Sequence, residues 1–199
     1  MTLKIVADAF KELAVIVSSP SPDVSVKQFA NACSLFSNLF GVLEIAFKFV
    51  KTDYVAKVND LAKASSSIST LEVMVDEDIK AGRAKKPGSH TRNLLKTKRG
   101  LEMIRVLFEE IIATNANSSL KDAAYKAYNK VLAKHHGLAL QESAETGMES
   151  LPSRELLLCM INETEESAKI HMQSYVTASI PVTAYVDQLL CSKNLGIDW

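Results

Sequence analysis

The sequence predicts an all-α domain, and three observations make that prediction. Apolar residues recur at spacings of three and four, the period of a helix with one buried face. Helix breakers are scarce, with seven Gly and five Pro, while Ala, Leu, Lys and Glu are plentiful. No stretch alternates apolar and polar residues as a half-buried strand would, and no internal repeat is visible.

The elements follow in order. Leu3 to Ser18 places Val6, Phe10, Leu13 and Val17 on one helical face, and Ser19-Pro20-Ser21-Pro22 ends it. A second helix is expected from about Ser25 to Val50. It is apolar nearly all round (Phe29, Leu35, Phe36, Leu39, Phe40, Val42, Leu43, Ile45, Phe47), so it is either a central core helix or the lining of something apolar. Asp53 to roughly Lys80 reads as helix, with a local break allowed at Ser65-Ser66-Ser67 because serine is a mediocre helix former. Gly82 to Gly88 is a loop. Ser89 caps the next helix, whose apolar stripe is Leu94, Leu101, Ile104, Phe108 and Ile111.

Asn115 to Ser119 breaks the pattern, and Leu120 to about Met148 is helical again, with His135, His136 and Gly137 at its centre. Pro152 opens a short helix through Ile161. Thr164 caps the last long helix, where Pro181 removes a backbone donor and predicts a kink. The total is about seven or eight helices in one domain covering residues 1–199.

Composition excludes several classes of function. Basic and acidic side chains balance at 23 each, so no global field recruits nucleic acid. The most apolar stretch, Leu35 to Val50, is interrupted by Gly41, Glu44 and Lys48 and falls short of the roughly 20 residues of a membrane span. No leader peptide is expected, since Lys4, Asp8, Lys11 and Glu12 break the first apolar turns; the chain reads as cytosolic, and its sequons at Asn117 and Asn162 as idle. Cys33, Cys159 and Cys191 form no CxxC pair and read as reduced core thiols; neither metal nor cofactor is expected. No Ser–His–Asp order, phosphate-binding loop or glycine fingerprint appears, so no enzyme active site is predicted.

Two constellations remain. Asp53 and Lys57 share one helix face, and Arg92, Lys96 and Arg99 share another. Taken alone the first is an exposed ion pair, and the second is a solvated charged face or an anion site, because ammonium and guanidinium groups converge well on phosphate oxygens. His136, beside Gly137, is a structural histidine or a ligand-binding one.

At these residues the chain resembles the glycolipid transfer protein family. The matching runs are Asp53 to Lys57 (DYVAK), Ala64 to Leu71 (ASSSISTL), Gly88 to Leu95 (GSHTRNLL), His135 to Gly137 (HHG), Lys169 to Tyr175 (KIHMQSY) and Leu195 to Trp199 (LGIDW). The resemblance implies a two-layer helical sandwich of about eight helices. In it a lipid head group rests in a surface recess and its chains enter a collapsible apolar pocket. It further implies that Asp53 accepts from a sphingoid amide and hydroxyl, that His136 donates to the acyl carbonyl, and that Lys57, Arg92 and Lys96 hold a phosphate.

Glycolipid-binding members have Asn at Lys57, Lys at Asp60 and a sugar-stacking Trp at Arg92. The resemblance is therefore to the branch that carries ceramide-1-phosphate, and a guanidinium in place of a ring exchanges sugar affinity for anion affinity. Lys96 stands where close relatives have Arg, which loses the planar fork, and Arg99 is a candidate to compensate. Leu138 stands where relatives often place an interfacial Trp, so membrane docking is either weaker or leans on the basic loop of Arg83, Lys85 and Lys86. The expected activity is non-enzymatic transfer by a monomer in transient contact with membranes. The alternatives are a neutral glycosphingolipid carrier or a lipid-sensing module that restrains cell death.

Overall fold

The structure, a computed structural model, describes residues 2–37, 48–115 and 117–199. Among them run α1 (Thr2–Val17), α2 (Val26–Ser34), α3 (Lys48–Ala64), α4 (Leu71–Lys80), α5 (His90–Ala113), α6 (Leu120–Val131), α7 (Leu138–Glu149), α8 (Arg154–Met160) and α9 (Glu165–Ser192). The expectation for Leu39 to Phe47 lies outside the described residues.

Local chemistry sets the helix starts. Ser25, Thr70, Ser89, Ser119, Ser153 and Thr164 each accept a hydrogen bond from the N–H three residues on, a cap contributing about 1 kcal/mol. At Thr164 the bond is reciprocal, with Ser167 Oγ accepting from the Thr164 N–H at 3.0 Å. Ser153, not Pro152, opens α8. The Ser65–Ser67 run does break the helix: their hydroxyls turn back to the carbonyls of Ala62, Lys63 and Ala64. The predicted helix from Leu120 to Met148 is in fact two. A 3-10 turn at Ala133–His135 and an extended His136 separate them, and Gly137 serves as the N-cap of α7. Helix α9 runs unbroken through Pro181.

Helix α5 is the axis of the fold: α3, α4, α6 and α9 all pack on it, α1 lies along α9, and α2 sits between α1 and α3. The predicted stripe of α5 is buried throughout. Where α1, α5 and α9 meet, Tyr175 is ringed edge-on by Phe10, Phe36 and Phe108 at centroid distances of 4.9, 5.1 and 5.5 Å. Its hydroxyl donates to the Leu101 carbonyl at 3.0 Å, which satisfies a polar group that burial would otherwise penalise. Two of the three cysteines depart from expectation. Cys33 is buried, but Cys159 and Cys191 lie on outward faces of short or terminal helical turns and are exposed.

Candidate functional site

The site is built on the antiparallel pair α3 and α5. Near one end Asp60 Oδ2 accepts from His90 Nδ1 and Asn93 Nδ2, both at 2.8 Å. Near the other, the buried Tyr54 ring lies so close to Gly100 that a Cβ there would meet Tyr54 Cδ2 at 2.9 Å. Lys57 falls between Tyr54 and Asp60, and Lys96 between Asn93 and Gly100. The two pins therefore place Lys57 and Lys96 opposite each other.

The loop before α5 is anchored as firmly. Asp78 is fully buried and accepts from the Thr91 N–H and hydroxyl at 2.8 Å each and from Arg83 Nε at 2.7 Å. Burial pushes its carboxyl up, but the Thr91 and Arg83 hydrogen bonds outweigh that and hold it below the usual carboxylate range. With this end fixed, Arg92 leaves the first turn of α5 half-buried, its Nη1 donating to the Lys85 carbonyl at 2.8 Å.

The charges at the site do not balance. The Lys57 stem is buried, with the residue 8% exposed, and its ammonium donates to the Asp53 carboxylate and, at 3.2 Å, to the Asp53 carbonyl. Asp53 itself faces solvent. Lys96 is exposed and has no hydrogen-bond or ion-pair partner among the described residues. Its ammonium is nevertheless held below the ordinary lysine range, first by the protein crowded around it, then by the Lys57 charge; Arg92 and Arg99 add to this and Asp53 opposes it. Three cations (Lys57, Arg92, Lys96) against one carboxylate (Asp53) leave an excess of two positive charges.

His136 closes the recess from the turn before α7. Its Nδ1 is 2.9 Å from the hydroxyl of the buried Tyr128, and Gln141 Nε2 clamps the turn by donating to the His136 and Ala133 carbonyls at 2.8 and 2.9 Å. Burial lowers its pKa; Asp53 works against that, while Lys96, Lys57 and Arg99 reinforce it. The imidazole is thus neutral near pH 7. Were the Tyr128 O–H to donate to Nδ1, the ring proton would sit on Nε2.

The structure thus gathers all five predicted residues: Asp53, Lys57, Arg92, Lys96 and His136. It withdraws Arg99. That guanidinium is 7% exposed, and its Nη2 donates to the Ile197 and Trp199 backbone oxygens at 2.6 and 2.8 Å, so it does not stand in for the missing fork at Lys96. The basic loop is partly committed as well: Arg83 serves Asp78, and Lys85 Nζ sits 5.6 Å from the Trp199 ring centroid. Sequence reasoning missed Asn93, Tyr54, Gly100, Tyr128 and Gln141. Their i+3, i+4 and buried positions gave no signal beyond ordinary packing.

Helices among the described residues carry a cation-rich recess with one carboxylate and one neutral imidazole, which defines a site suited to an anionic group. The glycolipid transfer protein family model matches residues 24–163, and the chain belongs to that family. It is 59% identical over 197 residues to accelerated cell death 11 of Arabidopsis thaliana, covering 99% of this chain and 96% of that one. A crystal structure of an aspartate variant of that Arabidopsis protein, complexed with C12 ceramide-1-phosphate, superposes with a TM-score of 0.97 at 58% identity; it covers 100% of this chain and 98% of that one. The apo mouse ceramide-1-phosphate transfer protein superposes at 0.85 with 20% identity, covering 97% of both chains, a likeness of fold alone. The all-α expectation holds among the described residues, and these neighbours share the fold.

Proposed function

We propose that this chain carries ceramide-1-phosphate between membranes, as a single-domain monomer and without chemical conversion of its cargo. One observation carries the reading. The excess of two positive charges contributed by Lys57, Arg92 and Lys96 matches a phosphate monoester, which bears roughly −1.5 to −2 at neutral pH. Asp53 then accepts from the amide N–H and the hydroxyl of the lipid. Nε2–H of His136 donates to the acyl carbonyl. The 58%-identical Arabidopsis relative, whose crystal structure holds C12 ceramide-1-phosphate, supports the same cargo.

Among the described residues, the apolar cavity lined by Leu3, Phe108, Ile111, Leu120 and Met172 holds only about 20 Å³, against the roughly 300–1,000 Å³ of a formed ligand site, so lipid chains entering there would have to widen it. No helix among the described residues is long and apolar enough to cross a membrane. Leu138 and Leu140, 78% and 48% exposed beside the His136 turn, supply a shallow apolar contact with a bilayer surface instead. The work is done in the cytosol and transiently at membranes.

A neutral glycosphingolipid fits less well, since it would leave the cations unpaired and meets a guanidinium where a sugar would stack. Phosphatidic acid has the phosphate but no amide N–H, so Asp53 would lose water without gaining a donor, at about 1–3 kcal/mol or more for a charged acceptor. Native mass spectrometry of the protein with equal amounts of ceramide-1-phosphate, galactosylceramide and phosphatidic acid tests this. Adducts of ceramide-1-phosphate should dominate by at least about tenfold. Dominance of either competitor would overturn the reading.

A further inference from the structure

The segment after α9 touches α4, the loop before α5 and α5 itself. Lys193 ties its start to Glu72 and Asp76 of α4, with Nζ–O distances of 2.9 and 2.8 Å. Gly196, at a φ of +70°, turns the backbone, and the Trp199 indole N–H donates back to its carbonyl at 2.9 Å. Leu195, Ile197 and Trp199 are part-buried against the core. From that seat the Ile197 and Trp199 oxygens hold Arg99, and the Trp199 ring lies under the ammonium of Lys85. The Lys85 carbonyl, in turn, accepts from Arg92 Nη1. A chain of contacts therefore runs from Trp199 through Lys85 to the guanidinium at the mouth of the site.

We infer that Leu195–Trp199 is a strap that positions the anion site, with Trp199 as its positioning residue. It fixes the loop whose carbonyl aims Arg92, and it removes Arg99 from the set of cations open to the lipid. The site would otherwise offer a fourth, competing cation on the same helix face and an Arg92 free to turn to solvent. This deepens the phosphate reading above and rests on it. Trp199 is the sole tryptophan of the chain, so its emission reports on the strap alone.

The experiment has two arms on the full chain. In the first, Trp199 fluorescence is followed while ceramide-1-phosphate, or ceramide lacking the phosphate, is added. The phosphorylated lipid should shift or quench the emission and the uncharged one should not. No change with the phosphorylated lipid, or the same change with both, overturns the strap. In the second, Trp199→Ala and Trp199→Phe are compared with the unmutated protein for ceramide-1-phosphate transfer between vesicles, and circular dichroism confirms their fold. Trp199→Ala should lose about fivefold, while Trp199→Phe, which keeps a ring under Lys85, stays within about twofold. Equal losses in both, or none in either, refute the positioning role. If Trp199→Ala does not fold, the fluorescence arm decides. If the unmutated protein moves no ceramide-1-phosphate, the phosphate reading fails and the strap falls with it; normal transfer with unresponsive Trp199 removes the strap alone.

Discussion

On the proposed reading, recognition rests on Lys57 and Arg92, because each brings a charge already held in place. Lys57 is fixed by the burial of its stem and Arg92 by the Lys85 carbonyl, so little freedom is lost when a phosphate arrives. Arg92→Leu or Lys57→Ala should each cost about 1.5–3 kcal/mol of charge-assisted hydrogen bonding, at least tenfold in binding. Lys96→Ala should cost less, since its exposed side chain has no partner to aim it. Vesicle transfer with circular dichroism on each variant checks the ranking; a folded Arg92→Leu protein with near-normal transfer would remove Arg92 from the site. The five candidate site residues could be named from the sequence because polar residue types at helical spacing sat within family-like runs. The fate of Arg99 was not. Its partners lie 98 and 100 residues away in the chain, beyond any periodicity.

At the scale of elements, the α3–α5 crossing depends on the missing side chain at Gly100. Alanine there would gain up to about 1 kcal/mol in helix propensity, but its Cβ would press on the buried Tyr54 ring, and overpacking of that kind costs about 1–3 kcal/mol. Gly100→Ala should therefore lower thermal stability on balance. It should also slow transfer, because Tyr54 adjoins Asp53. A variant as stable and active as the unmutated protein would mean the ring moves aside freely.

The turn between α6 and α7 carries a second prediction. His135 is pushed down to about 4 from the usual 6.5, by burial first, then by Arg99, Lys134 and His136, with Asp198 opposing. Its folded pKa lies below the unfolded one, so as pH falls the unfolded chain takes up the proton first. Its contribution is present in full above about 6.5 and is lost as pH falls through the window down to about 4. Melting temperature followed by circular dichroism over that window should fall, and less steeply for His135→Gln; parallel curves would show that His135 is not the group responsible. Helix starts were readable from single residues such as Ser89 and Thr164. The division at Gly137 was not, because His135 and His136 fit a helix as well as they fit a turn, and the Gln141 clamp that holds the turn is a tertiary contact.

For the whole molecule, the balance of 23 basic and 23 acidic residues hides a local imbalance: the long-range field is weak, while the recess is cationic. On the proposed reading, a weak long-range field lets the chain approach membranes of any charge, and the recess selects an anionic head group at contact range. Fold class was legible because helical periodicity runs along nearly the whole chain, as in the buried stripe from Leu94 to Ile111. The gathering of α3, α5 and the His136 turn was legible only through family resemblance, since the pins at Asp60 and Gly100 are matters of packing. The most direct test of the central claim is vesicle-to-vesicle transfer of fluorescent ceramide-1-phosphate beside fluorescent galactosylceramide, under one set of conditions. The phosphorylated lipid should move at least about tenfold faster, given at least one charge-assisted contact that the sugar lipid cannot make. Equal rates, or faster transfer of galactosylceramide, would contradict it.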